Sequence, residues 1–380
     1  MKQYINLKNC KVCNTDFFKP NLVTLKNVPD SAQIFRKKKK RFKIQLKIYQ
    51  CSGCGLVQVI NKPVTYYKEV IRAVGTSKKM MNFRLNQFKQ FKIEFNLKNK
   101  RVIEIGCGRG DYLKILNKVF KKVYGLEGSR KNFKYVEKKK LKVIYGFPEK
   151  NNYKIANFKF DAFFIFSYLE HIPNLRTFLR GIYNNLSSNA VGVVEVPNFN
   201  MILKNKLYSE FIIDHLYYFT KKTLEILLEN NGFKIIKIKE IFQNYILSAQ
   251  VKKKQVIELE DFNKISSKLN KSVSKFVKKY SNKKKIAVWG AGHQALTLIS
   301  MAKIEKYFKY IVDSANFKQK KYAPGTNLMV VAPEVFKNDN IKVIIVLAAG
   351  YTDEVCKIVK SYNLRIKIAK IHNNVLSIIN

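Results

Sequence analysis

Four cysteines written as CKVC (Cys10, Cys13) and CSGC (Cys51, Cys54) lie at the front of the chain, and a glycine run, EIGCGRG at 104–110, lies further in. Two C-x2-C pairs have the ligand spacing of two knuckles that share one tetrahedral Zn²⁺. Four thiolates leave no open coordination position, so the expected zinc is structural and replaces a core that about 60 residues could hardly supply. The glycine run follows a β-branched strand. Gly106, Gly108 and Gly110 allow a tight turn and close approach of a ligand to a helix N-terminus. Glu127 ends the next strand, 21 residues after Gly106, where a carboxylate accepts hydrogen bonds from two ribose hydroxyls. A second glycine turn, KIAVWGAG at 285–292, precedes another strand ending in Asp313. It offers one close glycine pair and reads as half of a dinucleotide fold.

Proton transfer has few candidates, because the chain has only four histidines: His171, His215, His293 and His372. His215 sits in FIIDHLYYFT next to Asp214, and His171 sits in FSYLEHIPN. His293 stands at the second glycine turn, at the start of a helix. His372 reads as a surface residue.

These groups need a frame. Strands are expected at Val102–Ile105, Val123–Leu126, Val143–Tyr145, Ala162–Phe166 and Val191–Val196, with helices between them, as a doubly wound parallel sheet requires. The stretch TKKTLEILLENNGFKIIKIKE reads as a helix stopped at Asn231-Gly232 and followed by a strand. The expected division is a zinc module over 1–62, a connector over 63–97, an α/β domain over 98–250, a helical linker over 251–284 and a smaller α/β unit over 285–380.

The 380 residues carry a net charge of +47. Such a balance would ordinarily suggest nucleic acid. Here the cations are overwhelmingly Lys, spread along a chain also rich in Asn, Ile, Phe and Tyr, the pattern of an AT-rich coding sequence. The densest run, Arg36–Arg41, reads as a solvated loop. No apolar run reaches the roughly 20 residues of a membrane span, and the N-terminus lacks the apolar core of a signal peptide, so a cytoplasmic location is expected.

VIEIGCGRGDYL, YGLEGS, FSYLEHIPN and LLENNGF together resemble the class I S-adenosylmethionine (SAM) methyltransferases, with G-x-G-x-G in place of the dinucleotide pattern. The resemblance implies a Rossmann-like core in which Glu104, Gly106, Gly108, Gly110 and Glu127 surround the amino-acid and ribose parts of SAM. Phe147 and Ser167 would flank adenine and sulfonium. Over nearly the whole chain, the zinc module, this core and the WGAG…IVD…PGT…AP unit resemble the bacterial sugar C-methyltransferases, which act on nucleotide-linked keto-deoxy sugars.

That resemblance implies a base at His215, with Asp214 where the family's run carries its acid and Ile212 where it carries a tyrosine. His171 is a second catalytic candidate, and Tyr217 or Tyr218 are possible spatial substitutes for the missing tyrosine. Substrate contacts are expected from Tyr67, Thr76, Ser77, Tyr218 and His293. Carbon methylation of a nucleotide-sugar is the expected reaction, with O- or N-methylation as the alternative. An RNA methyltransferase and a member without catalysis remain less favoured readings. The expected partner is a small molecule, with no membrane or nucleic acid, and the family leans to a monomer.

Overall fold

A computed structural model describes residues 9–35, 42–69, 77–280 and 285–379. Thr76 and the run Arg36–Arg41 lie outside the described residues. The chain forms two compact units, Met1–Gln255 and Val256–Asn380.

The first unit begins with β1 (Val23–Pro29), β2 (Lys43–Gln50) and β3 (Val57–Val59), an antiparallel meander. Helix α1 (Lys78–Glu94) starts at Ser77, whose side chain accepts the Met80 amide. The main sheet follows as β4 (Arg101–Ile105), α2 (Asp111–Val119), β5 (Lys122–Glu127), α3 (Arg130–Lys138), β6 (Val143–Tyr145), β7 (Phe160–Phe166), α4 (Leu175–Tyr183) and β8 (Leu186–Pro197). Then come α5 (Phe199–Lys204), the two-residue β9 (Tyr217–Tyr218), α6 (Lys221–Asn230), β10 (Phe233–Ile241) and β11 (Ile246–Lys253).

The strand order in the main sheet is β10-β11-β8-β7-β4-β5-β6. β4 to β8 run parallel, and β11 runs antiparallel to both β8 and β10. This is the class I methyltransferase topology, with one reversed strand inserted near the end of an otherwise parallel sheet. The order reverses direction between β4 and β7, the switch point where ligands bind in open α/β sheets. β7 explains the core on both faces: Phe163 and Ile165 join the apolar cluster on one side, Phe164 and Phe166 the cluster on the other. A strand covered on both faces reads as a continuous apolar run, as FDAFFIF does.

Two divisions differ from the sequence-based expectation. β9 leaves the main sheet and pairs with β3 through Val57–Tyr218 and Gln58–Tyr217, so the cysteine module shares its sheet with the middle domain. The stretch expected as a linker contains α7 (Glu260–Tyr280), and its Val273 and Val277 are buried in the apolar core of the second unit. Their spacing puts both on one helix face, which explains why this Lys-rich helix packs.

The second unit continues as β12 (Ile286–Trp289), α8 (His293–Ala302), β13 (Phe308–Val312), β14 (Val330–Val331), α9 (Pro333–Lys337), β15 (Val343–Val346), α10 (Thr352–Ser361), β16 (Lys367–His372) and β17 (Val375–Ile379). Its sheet order is β14-β13-β12-β15-β16-β17, parallel except for the last strand.

One buried ion pair joins α1 to the main sheet. Arg84 Nη2 lies 2.5 Å from Glu195 Oε2, both side chains nearly inaccessible. Gln87 and Ser248 donate to Glu195 Oε1 at 2.7 and 2.8 Å, and the guanidinium lies over the rings of Phe166 and Tyr112. Removing one partner strands the other charge in a dry site, at about 3–5 kcal/mol. Arg84→Met is therefore expected to lower the stability of the first unit by that amount in urea unfolding. A midpoint equal to wild type would show that the pair is not held as described.

Candidate active site

β4 delivers the glycine run to the switch point. Gly106 has φ +70°, and a Cβ there would meet the ring of Tyr168 at 2.6 Å, so a side chain is excluded twice, by backbone strain and by contact. Gly108 also has positive φ, but nothing lies within 4 Å of its Cβ position: the loop is open on that side. Gly110 begins α2 with no side-chain cap. Glu127 closes the cradle, its two oxygens accepting the amides of Gly108 at 2.7 Å and Ser129 at 2.8 Å. Burial pushes its carboxyl up to about 7 although these amides oppose the shift. An open glycine cradle beside such a carboxyl fits the ribose and amino-acid ends of SAM. Glu104 is buried in β4.

The far wall is aromatic. Phe147 is half-buried, its ring edge-on to Tyr67 at 5.7 Å and close to Phe178 at 5.3 Å. Lys68 lies over both Tyr67 and Phe147 and pairs with Glu149. Ser167 is exposed at the end of β7 with φ +45°, its amide bonded to the Glu195 carbonyl at 2.9 Å.

The Tyr168 ring that covers Gly106 leads straight into the 3₁₀ turn Leu169–His171. There the Glu170 carbonyl accepts the Leu216 amide at 2.8 Å, and His171 Nδ1–H donates to the Asp214 carbonyl at 2.7 Å. These two bonds bring the histidines together, ring centroids 4.8 Å apart. His171 is buried and His215 half-buried. Burial lowers His171 to about 4 and holds His215 well below 6.5, the neighbouring His171 adding to the second shift. Both rings are neutral at pH 7, so a lone pair is present on each. Glu170 is fully enclosed, and burial lifts its carboxyl to about 8.

The partners of Asp214 come from distant parts of the sequence. Asp214 is not hydrogen-bonded to its neighbour His215. Its buried carboxylate accepts the Tyr66 hydroxyl at 2.8 Å and the Ala32 amide at 2.9 Å, tying the β1–β2 connection to the site. Tyr66 reaches this cluster, while the ring of its neighbour Tyr67 lies against Phe147. The Tyr66 hydroxyl also pairs with Ser31 at 2.6 Å, and burial, with Asp214 adding, pushes it up to about 12. Sequence reasoning missed Tyr66, Glu170 and Ser31; the YY dipeptide was the only local signal.

The remaining residues separate. The Tyr218 ring lies 6.2 Å from that of His215, but its hydroxyl is engaged by the Ile212 amide and the Glu210 carbonyl. Tyr217 donates to the Pro173 carbonyl. Ser77 is occupied as the cap of α1. His293 belongs to the second unit, where it lines a cavity of about 260 Å³ with Gly290, Gly292, Asp313, Lys318 and Tyr351. Asp313 there accepts the Ala291 amide at 2.8 Å and pairs with Lys318 at 3.0 Å.

The four expected thiols do converge. Cys10 lies 3.6 Å from Cys54 and Cys13 lies 3.3 Å from Cys51, with all four sulfurs within 4.8 Å of one another. Amides of Val12, Gly53 and Cys54 and the side chain of Gln58 point at sulfur. Donors aimed at thiolates are the second shell that a tetrahedral metal needs, so the residues fit one.

Residues 79–238 match the family model of a methyltransferase domain, and residues 240–365 match that of the C-methyltransferase C-terminal domain. A tRNA U34 carboxymethyltransferase of Aliarcobacter butzleri is 28% identical over 211 residues, covering 48% of this chain and 67% of the relative. A ubiquinone biosynthesis O-methyltransferase of Pelagibacter ubique is 28% identical over 131 residues, 33% of this chain and 53% of the relative. The C-methyltransferase NovU of Streptomyces niveus is 24% identical over 140 residues, 36% of this chain and 33% of the relative. The chain thus spans about half and a third of the lengths of the latter two. Among solved structures, a SAM-dependent methyltransferase of Clostridium acetobutylicum is 17% identical with TM-score 0.38, covering 50% of this chain and 96% of that one. The PH0226 protein of Pyrococcus horikoshii is 13% identical with TM-score 0.40, covering 51% of this chain and 100% of that one.

Sheet order, glycine cradle and the first family model define a class: the SAM-dependent methyltransferases. The second family model adds a match to the C-methyltransferase C-terminal domain over residues 240–365. The crowding at Gly106 gives a direct test of the cradle. Gly106→Ala is expected to weaken S-adenosylhomocysteine binding by about tenfold or more, since a forbidden φ alone is worth about 1–2 kcal/mol. Unchanged affinity by calorimetry would remove this loop from the cofactor site.

Proposed function

We propose that the protein transfers a methyl group from SAM to a carbon beside the keto group of a nucleotide-activated sugar. The observation that carries this reading is the neutral, half-buried His215 beside His171, at the end of the segment that also covers the glycine cradle. Bound SAM supplies an electrophilic methyl. A carbon nucleophile has to be made by the enzyme, and that requires a base in its unprotonated form at neutral pH. In this reading His215 removes the proton next to the keto group. His171, fixed by the Asp214 carbonyl, orients it, and the surrounding apolar residues exclude water. Asp214, held by Tyr66 and Ala32, positions the loop rather than the proton.

The second unit has a cavity of its own at the turn in strand order between β12 and β15, where a glycine loop, Lys318 and His293 suit a phosphorylated ligand. The thiol cluster is assigned one zinc per chain with a structural role. Metal analysis is expected to find that stoichiometry, and Cys51→Ser to lose both metal and the folded first module; a zinc-free yet folded wild type would contradict it.

One observation favours a second reading, methylation of a hydroxyl. Ile212 stands at the tyrosine position and the Tyr218 hydroxyl is committed to backbone, so neither supplies a free phenol to stabilise an enolate. Incubation with methyl-labelled SAM and a panel of nucleotide-linked keto sugars, with the labelled atom located by NMR, decides between carbon and oxygen. Label only in RNA would overturn both.

His215→Ala is expected to lower kcat/KM by about 10²–10⁴-fold. Because His215 is held below 6.5, it stays unprotonated as pH falls to that value. The acid limb of kcat/KM should therefore lie below pH 6.5. A limb at or above that value, or near-normal turnover of the alanine variant, would assign the base elsewhere.

A further inference from the structure

The base has neighbours that deprotonation alone does not require. Glu170 is 1% exposed, and its Oε2 has no hydrogen-bond partner among the described residues. Its Oε1 lies 3.9 Å from His171 Nε2. The tautomer of His171 follows from its other nitrogen: a backbone carbonyl can only accept, so Nδ1 carries the proton and Nε2 presents a bare lone pair. A lone pair and a carboxyl oxygen therefore face one another across a gap too long for a hydrogen bond. His215 brings a third donor, and one ligand atom from each of the three lies within 4.8 Å of the others.

We propose that Glu170, His171 and His215 form a second divalent-cation site, separate from the thiol cluster, whose occupation silences methyl transfer. Two imidazoles and one carboxylate with open positions suit borderline cations such as Zn²⁺, Co²⁺ or Ni²⁺ rather than Mg²⁺. The bond from His171 Nδ1–H to a carbonyl is the outer-shell contact that fixes a metal-ligating histidine. A bound cation would compensate the buried Glu170 carboxylate, which otherwise has to hold a proton. The donors need to close to roughly 3.4 Å apart, the spacing of two ligands about 2.1 Å from a tetrahedral ion. The half-buried His215 gives the ion its way in. The silencing part rests on His215 being the base: a lone pair given to a metal cannot take a proton. The site itself does not rest on that reading.

The test uses the full-length, zinc-loaded protein titrated with Co²⁺ alone, followed by visible ligand-field absorption and equilibrium dialysis. One Co²⁺ per chain is expected to bind with zinc retained and without thiolate-to-cobalt charge transfer. Glu170→Gln and His215→Gln, both close in shape to the native residues, should each weaken binding by about tenfold or more. Methyl transfer should fall in step with occupancy. Cobalt entering only by displacing zinc, or binding Glu170→Gln as tightly as wild type, overturns the site. Turnover that persists at saturating Co²⁺ overturns the silencing. Failure of the base assignment is seen separately, in the turnover of His215→Ala without added metal.

Discussion

The segment 212–219 is stitched from two sides, and the candidate active site depends on that double attachment. On one side the Leu216 amide and the Asp214 carbonyl bond to Glu170 and His171. On the other, the Val59 amide bonds to the Leu216 carbonyl, and β9 completes the sheet of the cysteine module. Either attachment alone would leave a surface loop with freedom to turn. Together they fix the backbone on both edges of His215, and the imidazole inherits a defined place although its own ring is only half-buried.

This gives the thiol cluster a role beyond stabilising its own knuckles. A metal held by Cys10, Cys13, Cys51 and Cys54 would order the turn that precedes β3, and β3 is the strand against which Tyr217 and Tyr218 pair. The same module reaches the site through Ala32 and Tyr66, whose bonds to Asp214 span 182 and 148 residues. Such contacts contribute to stability only once the chain is folded around them. Such a metal would make a small module rigid enough to serve as one wall of a site in its neighbour.

Much of this was legible in the sequence where the signal is local. β6 falls at the expected residues, the other four core strands extend the expected ones by a few residues at their ends, and the cysteine spacing fixed the thiol cluster. The glycines needed positive φ, as their spacing after a strand implied. What could not be read is what depends on distant partners. β9 is two residues long and has no periodicity to detect; it exists because β3 offers an edge. Asp214 and His215 are adjacent in sequence, yet the carboxylate turns to Tyr66 and Ala32. Nothing local in YLEH marks Glu170 for burial. It is buried because the 212–219 segment covers it.

The central claim is that His215 takes a proton from a carbon acid. The most direct measurement is the exchange of solvent deuterium into the keto sugar, catalysed by the protein with S-adenosylhomocysteine in place of the methyl donor. The account predicts deuterium at the carbon beside the keto group for wild type and its loss in His215→Ala. Methyl transfer from SAM to a sugar oxygen, with no deuterium at carbon, would contradict it.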